Sequence, residues 1–159
     1  MRILLNAANA VSAGGSVVVA GILESLPRIA PDDFFVAYVP SGVGFESTPH
    51  RENLQLEFVR PSISGRAFER CMQIYWRVAK WCRVHHIDVC FTLGDIGPAQ
   101  LPIPHVVLLQ QAWIVYRNSE VERRWSKLER LKFQYSRWHF GRMAPRCDRI
   151  LVQTPVVEK

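Results

Sequence analysis

Two adjacent glycines lie where a short apolar segment gives way to the first predicted helix. Asn9 stands in the connecting loop, and Gly14, Gly15 and Ser16 lead into the helix. Backbone amides at a helix start can bind a phosphate or a carboxylate, and glycine lets such a ligand approach the backbone closely. The alternative is that the glycines only make a tight turn. Neither the dinucleotide-binding pattern G-x-G-x-x-G nor the P-loop pattern occurs in this loop.

Polar side chains also follow two later apolar segments. Gln110 and Gln111 stand at the end of one, and Asp95 follows Gly94 at the end of the one before it. Ligands of parallel α/β sheets gather at the carboxyl ends of the strands, where amides can donate to and accept from sugar hydroxyls. The glutamines could equally cap nearby backbone, and the sequence favours a solvated turn residue at Asp95. These four residues are candidate ligand contacts.

No complete catalytic set is recognisable. The chain has no G-x-S-x-G elbow, no H-E-x-x-H pair and no convincing pair of carboxylates. His50, His105 and His139 are isolated in sequence, and isolated histidines are usually structural or solvated. Any catalysis is therefore expected to need more chain than these residues.

One cluster of cysteine and histidine residues has the ligand types that zinc prefers. It consists of Cys82, His85, His86 and Cys90. The competing interpretation places Cys82 on the apolar face of a helix and Cys90 inside a strand, as small core residues, with the histidines in the turn between them. The sequence favours that structural interpretation, so no metal site is expected.

The elements that must position these residues alternate along the chain. Near-continuous apolar segments, which predict strands buried on both faces, alternate with amphipathic segments. The predicted strands are 2–6, 34–39, 54–59, 88–92, 106–109 and 149–152, and the predicted helices are 17–29, 65–84 and 118–143. This pattern is typical of a doubly wound, mostly parallel sheet flanked by helices, a Rossmann-like α/β fold.

Length and composition exclude several classes of protein. A chain of 159 residues, of which 48% are hydrophobic and 21% charged, has the size and balance of one globular domain rather than of a disordered or coiled-coil protein. No apolar run is long enough to span a bilayer, and the amino-terminal residues do not form a secretory signal. Because the four cysteines are dispersed, a disulfide framework is not expected. We predict a cytoplasmic protein.

The positive charge is concentrated in one segment. The net charge is +6, and residues 117–149 hold ten basic and four acidic residues. Within the predicted helix of this segment, apolar residues at helical spacing predict an inward stripe: Val121, Trp125, Leu128, Leu131, Tyr135 and Trp138. Four basic residues are candidate contacts to an anionic surface: Arg123, Lys127, Arg130 and Arg137.

The chain ends on a helix-start signal. Thr154 is a good N-cap and Pro155 suits the first helical position, yet only four residues follow. So short a helix has little stability of its own, so the natural chain is expected to continue.

The order of these features resembles the amino-terminal half of GT-B glycosyltransferases of the family 4 type. The residues that carry the resemblance are Arg2–Leu5 with Gly14 and Gly15, the helix Ser16–Leu26, the strand Asp88–Phe91, the segment His105–Trp113, and Cys147–Thr154. Two positions depart from the family pattern. Gln110 and Gln111 stand where many members have a histidine-containing pair, and Thr154 replaces a common serine.

The resemblance implies a cleft enzyme that transfers a sugar from a nucleotide-sugar donor to a sugar or lipid-linked acceptor with retention. Residues 1–159 would form the acceptor-side domain, and an absent carboxyl-terminal domain would hold most of the donor. Such enzymes generally need no metal or cofactor, because amides and basic side chains stabilise the leaving diphosphate. The resemblance therefore implies that this part alone is inactive. It also implies acceptors at the inner membrane face, where the basic helix would make a peripheral contact. The alternative, which the sequence favours, is an ordinary solvated basic face around a core helix.

A second function class uses the same basic helix. A non-catalytic, Rossmann-like module could bind nucleotides or nucleic acid through that charge. Because the aromatic side chains of the helix are predicted to face inward, they would not be available to stack on bases, and nucleic acid is not expected as a partner.

Overall fold

The computed structural model describes residues 1–11, 13–59, 77–116 and 119–152. In chain order, the elements in these ranges are β1 (Arg2–Asn6), α1 (Ala13–Ile29), β2 (Phe34–Pro40), β3 (Leu54–Val59), α2 (Val78–Val84), β4 (Val89–Leu93), β5 (His105–Leu109), α3 (Ser119–Arg123), α4 (Lys127–Met143) and β6 (Arg149–Val152). Short 3₁₀ turns occur at Phe45–Ser47, Ala112–Ile114 and Ala144–Arg146. Most of the predicted helix 65–84 lies outside the described residues, which include its end as α2.

All six strands run parallel in one sheet, in the order β3-β2-β1-β4-β5-β6. The central strand β1 pairs with β2 on one side and with β4 on the other, so that Leu4 lies opposite both Val36 and Cys90. Successive connections run outward from β1 in one direction and then, from β4 onward, in the other. The sheet therefore has a topological switch point between β1 and β4. The predicted doubly wound α/β fold is confirmed.

One face of the sheet, here called the α1 face, is covered by α1. Val19 and Leu23 of this helix pack with Leu5, Phe35 and Val39 from the central strands. These strand residues alternate with residues that point to the opposite face, as the two-residue period of a strand requires. Burying such large aliphatic and aromatic side chains contributes about 1.5–3 kcal/mol for each one.

The opposite face, here called the α4 face, is covered by α2 and α4. Val78 and Cys82 of α2 pack on Leu4 and Cys90. A separate cluster joins α4 to β5 through the residues Val107, Leu109, Phe140 and Met143. This face therefore has two apolar clusters, one under each helix.

The buried side of α1 differs in part from the predicted one. The helical spacing of Val17, Ala20, Leu23 and Leu26 predicts that these four residues face the core. Leu23 is buried and Leu26 packs against the core, but Val17 is 71% exposed and Ala20 is exposed as well. Val19 and Pro27 are buried together with Leu23, at a spacing of four residues. Because this helix is apolar on several sides, its sequence does not specify which side packs, and contact with the sheet decides it.

The predicted helix 118–143 is two helices. Ser126 is the N-cap of α4: its hydroxyl accepts a hydrogen bond from the Glu129 N–H, and the Glu129 carboxylate accepts one from the Ser126 N–H. This capping box fixes a new helix start. The segment between Arg123 and Lys127 therefore turns, and α3 ends after five residues.

The predicted inward stripe of this segment is wrong for α4. Four of its residues are exposed on the outer side, with exposed fractions of 76% for Leu128, 64% for Leu131, 36% for Tyr135 and 57% for Trp138. The buried residues of α4 are Ser136, His139, Phe140 and Met143. Ser136 and His139 are polar and are hydrogen-bonded to backbone carbonyls, so a pattern of apolar residues could not reveal the side of the helix to which they belong.

The two remaining residues of the predicted stripe lie before the start of α4. Trp125 lies in the turn before α4, where its ring is half-buried and stacks on Phe133 with 4.4 Å between ring centroids. The side chain of Val121 lies outside the described part of the structure.

Candidate ligand-binding crevice at the carboxyl edge of the sheet

The segments after β1, β4 and β5 all leave the carboxyl edge of the sheet, and the switch point lies between the first two of them. A crevice at this position is the usual ligand site of an open α/β sheet. Two side chains that the sequence identifies as candidate ligand contacts connect these segments to one another. The first is Asn9, after β1, and the second is Asp95, after β4.

Asp95 connects the segment after β4 to the segment after β5. Its Oδ1 atom accepts hydrogen bonds from the backbone N–H groups of Gln110, at 2.8 Å, and Gln111, at 3.0 Å. Asp95 is only 8% exposed, and this burial raises the pKa of its carboxyl although the two N–H groups act in the opposite sense. The prediction of a solvated turn aspartate is wrong, because the carboxylate is buried and holds the first two residues after β5 in place.

Asn9 connects the segment after β1 to the segment after β4. Its Nδ2 group donates a hydrogen bond to the carbonyl of Ile96 at 3.0 Å, and the side chain is half-buried. Gly94, just before Asp95, has φ +146°, a conformation that favours glycine. Asn9 and Asp95 therefore hold the backbone of the segments at this sheet edge, and Gly94 allows the turn between them.

Two buried polar atoms at this edge have no hydrogen-bond partner within the described residues. One is the acceptor Oδ1 of Asn6, the last residue of β1, and the other is the donor Nε2 of Gln110. An unpaired buried donor or acceptor costs about 1–3 kcal/mol. Asn6 therefore has an unfilled acceptor and Gln110 an unfilled donor, and a hydroxyl group or a water molecule can complete either one. Gln111 is exposed beside Gln110.

Asn6 was not among the predicted site residues. The sequence gives one signal for it, since it is a polar residue at the carboxyl end of an otherwise apolar buried strand. Its Nδ2 group donates a hydrogen bond to Thr92 Oγ1 at 3.3 Å. The contact between Asn6 and Thr92 cannot be inferred from the sequence alone, because it depends on the register of β1 against β4.

The glycine pair lies differently from the prediction. Gly14, Gly15 and Ser16 belong to the first turn of α1, whereas the sequence placed the glycines in a loop before the helix. Neither glycine has a positive φ, so the tight-turn interpretation is wrong. A Cβ atom at Gly14 would meet no atom within 4 Å, so packing does not require glycine there. Thr154, the remaining candidate contact, lies outside the described residues.

A row of hydrogen-bonded polar groups crosses the α4 face below the crevice. From Asn6 the row passes through Thr92 Oγ1, which lies 2.8 Å from His105 Nε2, to His105 Nδ1, which lies 3.5 Å from Cys147 Sγ. Burial lowers the pKa of His105 to about 4 and raises that of Cys147 to about 11. Both groups are therefore uncharged near neutral pH, which makes this row a structural feature rather than an acid–base pair.

The three histidines considered for catalysis have different surroundings. His105 is 2% exposed, and His139 is fully buried with its Nε2 atom 2.8 Å from the Gly97 carbonyl oxygen. Burial lowers the pKa of His139. His50 is exposed. The description of His105 and His139 as structural is confirmed by their burial and partners.

Cys82 and Cys90 are core residues, as the sequence favours. Both are buried in one cluster of the α4 face, and Cys82 together with burial raises the pKa of the Cys90 thiol. His85 stacks on Trp81 with 3.8 Å between ring centroids, and His86 occupies the turn after α2 with φ +50°. The described residues contain no group of three or more His, Cys, Asp and Glu side chains that could hold a metal ion.

The four basic candidates do not form one uniform patch. Arg137 is half-buried and held by other residues: it forms an ion pair with Glu122 at 2.6 Å and donates hydrogen bonds to the carbonyls of Trp113 and Tyr116. Arg123, Lys127 and Arg130 are exposed, and Arg130 also donates to the Arg123 carbonyl. None of the helices within the described ranges is long and apolar enough to cross a membrane.

Neither the models of known protein families nor the curated proteins include a match to this sequence.

Proposed function

We propose that this chain is the acceptor-side domain of a GT-B-type enzyme that transfers a sugar from a nucleotide-sugar donor with retention. In this proposal the crevice at the β1/β4 switch point binds the acceptor sugar, and a second domain contributes most of the donor site. Both assignments are those that the sequence resemblance implies.

The observation that carries the proposal is the connection between three segments at one sheet edge. Asp95 holds the backbone of Gln110 and Gln111, and Asn9 holds the segment that contains Asp95. A crevice with a fixed backbone can present side-chain amides in a defined direction, which lowers the entropic cost of binding a flexible sugar. The Gln110 and Gln111 side chains are then the best placed to contact a hydroxyl group.

The chemistry assigned to this half is positioning. Amide groups donate to and accept from hydroxyl groups without a change of charge, which suits an acceptor that must be oriented but not activated at this wall. In the polar row, the low pKa of His105 makes its neutral ring a weak base, and the raised pKa of Cys147 keeps its thiol protonated near pH 7. The reacting groups would come from the second domain and the substrates.

Saturation-transfer NMR with a panel of mono- and oligosaccharides tests the proposal. We expect at least one sugar to bind, and the Gln110→Leu and Gln111→Ala variants to weaken that binding about fivefold each, as the loss of one hydrogen bond implies. Gln134→Ala, on the exposed side of α4, is the matched control and should bind normally. Absence of sugar binding, or equal binding by all three variants, contradicts the proposal.

A second measurement tests whether sugar transfer needs the second domain. Residues 1–159 are expected to release no nucleotide from UDP-, GDP- or ADP-hexoses in the presence of the bound sugar. Sustained turnover by this chain would show that the donor site and the reacting groups lie within it. That result would contradict the assignment to an acceptor-side domain even if the crevice binds sugar.

The reason for not expecting a nucleic-acid partner changes with the structure. That expectation rests on inward-facing aromatic residues, but Tyr135 and Trp138 are exposed. The alternative of a nucleic-acid-binding module therefore stays a prediction, and a salt-dependent shift with single-stranded RNA would support it.

A further inference from the structure

Residues 94–98, here called the crevice segment, leave β4 and pass close to a buried strand residue. A Cβ atom at Gly97 would lie 2.9 Å from both the Cγ2 and the Oγ1 atoms of Thr92, too close for any side chain unless one of the two residues moved. Thr92 is 1% exposed, and its hydroxyl is hydrogen-bonded to Asn6 and His105. Because Thr92 is held in this way, glycine is needed at position 97 for the backbone to approach the strand.

His139 holds the same residue from α4. Its Nε2 atom lies 2.8 Å from the Gly97 carbonyl oxygen, and its side chain is fully buried. A carbonyl oxygen only accepts hydrogen bonds, so the proton of the ring lies on Nε2. Burial lowers the pKa of His139, so the ring is neutral near pH 7. An apolar side chain here would fill the same space but would leave the Gly97 carbonyl without this donor.

The crevice segment in turn holds the segments on either side of it. The Ile96 carbonyl accepts a hydrogen bond from Asn9, and the Asp95 carboxylate accepts two from the backbone N–H groups of Gln110 and Gln111. Asp95 is two residues from Gly97 along the chain. A shift of the backbone at Gly97 would therefore move the carboxylate that holds the first two residues after β5.

We propose that His139 and Gly97 are positioning residues of the crevice. They fix the backbone of the crevice segment between α4 and β4, and they thereby place Asp95 under the N–H groups of Gln110 and Gln111. Neither residue needs to touch a ligand, because each acts through the backbone that presents the two glutamine side chains. The choice of a sugar as the ligand rests on the proposed function, whereas the effect on the backbone does not.

Amide hydrogen exchange measured by NMR tests the effect on the backbone without any ligand. In His139→Phe, exchange at the Gln110 and Gln111 N–H groups should become about tenfold faster relative to Leu5 in β1, as the loss of one buried hydrogen bond implies. His139→Gln should restore much of the protection, because its side-chain amide can donate to the Gly97 carbonyl.

A matched control separates positioning from general destabilisation. Phe140→Leu changes the next buried residue of α4, which packs in the cluster with β5. This variant should lower the midpoint of urea denaturation but leave the ratio of the Gln110 and Gln111 exchange rates to that of Leu5 unchanged. In the unchanged chain, the ¹⁵N chemical shifts of the His139 ring should be those of the neutral tautomer protonated at Nε2.

Two glycine variants test the close approach to Thr92. Gly97→Ala should shift the amide resonances of residues 95–97 and 110–111 and weaken binding of the sugar about tenfold, as the loss of one hydrogen bond implies. Gly141→Ala adds a Cβ atom that meets no other atom within 4 Å, so it should change neither the resonances nor the affinity. His139→Phe should weaken sugar binding to a similar extent, and His139→Gln less.

The outcomes distinguish this proposal from the proposed function. If the unchanged chain binds no sugar, the proposed function fails, while the exchange rates and resonance shifts still decide whether His139 and Gly97 position the backbone. Exchange in His139→Phe that matches Phe140→Leu, or resonances in Gly97→Ala that match Gly141→Ala, would overturn the positioning role. A His139 ring protonated at Nδ1 alone would overturn it as well, and this measurement does not depend on whether any variant folds.

Discussion

The two faces of the sheet are built in different ways. On the α1 face, a 17-residue helix packs Val19 and Leu23 onto apolar strand residues. On the α4 face, a helix of the same length buries Ser136 and His139 and leaves Leu131 and Trp138 exposed. In α4, therefore, some of the buried residues are polar and some of the exposed residues are apolar.

The difference shows what each helix contributes to the molecule. The contribution of α1 is mainly core, because its buried residues are apolar and its exposed charged residues, Glu24 and Arg28, pair with each other, although Val17 and Ile29 are exposed. The last turns of α4 contribute to the core, while its outer side contributes surface chemistry. The exposed apolar residues of α4 add less to the stability of the core than buried ones, because they bury only part of their surface.

The largest expected effect is on the free energy of unfolding, and it compares a buried residue of α1 with an exposed residue of α4. Leu23→Ala should lower the free energy of unfolding by about 2–5 kcal/mol, because it removes a fully buried side chain from the α1 face. Leu131→Ala, the matched change on α4, should alter it by less than about 0.5 kcal/mol. Urea denaturation monitored by circular dichroism measures both. Equal losses would show that the stripe is part of the core.

The second prediction uses the buried histidine of the α4 face. Because the pKa of His105 is about 4 in the folded chain, against an ordinary value of 6.5, the unfolded chain takes up a proton first as the pH falls. Stability should therefore be complete above pH 6.5 and fall by about 3 kcal/mol between pH 6.5 and 4. His139, with a lowered pKa, acts in the same direction.

The two faces should respond differently in this titration. The His105→Gln variant should flatten the dependence of urea stability on pH, whereas Leu23→Ala should keep its slope at a lower overall stability. NMR titration of the imidazole resonances checks the assignment. A midpoint near 6.5 for His105 would show that its ring is not held neutral by burial.

The third prediction separates two arginines of α4. Arg137→Ala should cost about 1–3 kcal/mol, because it breaks an ion pair with Glu122 and leaves the Trp113 and Tyr116 carbonyls without their charged donor. Arg142→Ala should cost less than about 0.5 kcal/mol, because this exposed side chain only lies over the exposed Trp138 ring. Thermal unfolding of both variants is sufficient. The reverse order would assign Arg142 to the fold and Arg137 to the surface.

The smallest expected effect compares serines of the two helices. Ser126→Ala removes the N-cap of α4 and should cost about 1 kcal/mol. Ser25→Ala lies within α1, where the serine hydroxyl donates to the Gly21 carbonyl, and should be neutral or slightly stabilising because alanine is the better helix former. Differential scanning calorimetry resolves the two. A neutral Ser126→Ala would mean that the capping box does not determine where α4 begins.

The sheet could be predicted because its strands are short, apolar and bounded by glycine and proline. β1, β3 and β6 have the predicted bounds, and the parallel arrangement follows from the alternation of strands and helices. The buried sides of the helices were harder to predict. Both sides of α4 carry apolar residues, and the buried His139 is polar, so only contact with β5 determines which side faces inward.

The site could be predicted by position but not by role. The sequence gives Asn9, Asp95 and Gln110 because they follow apolar strands, and the structure places them in segments that leave one sheet edge. The sequence cannot show that the side chains of Asp95 and Asn9 form hydrogen bonds with backbone groups far away in the chain, since those contacts depend on tertiary geometry. Asn6 was missed for the same reason.

Amide chemical-shift mapping tests the central claim most directly, because it locates the ligand on the backbone itself. On titration with the sugar that binds, the account predicts that the largest shifts fall on residues 6–11, 94–96 and 110–111, with little change on the outer side of α4. Shifts confined to α4 or to residues 42–52, with none at the carboxyl edge of β1, β4 and β5, would contradict it.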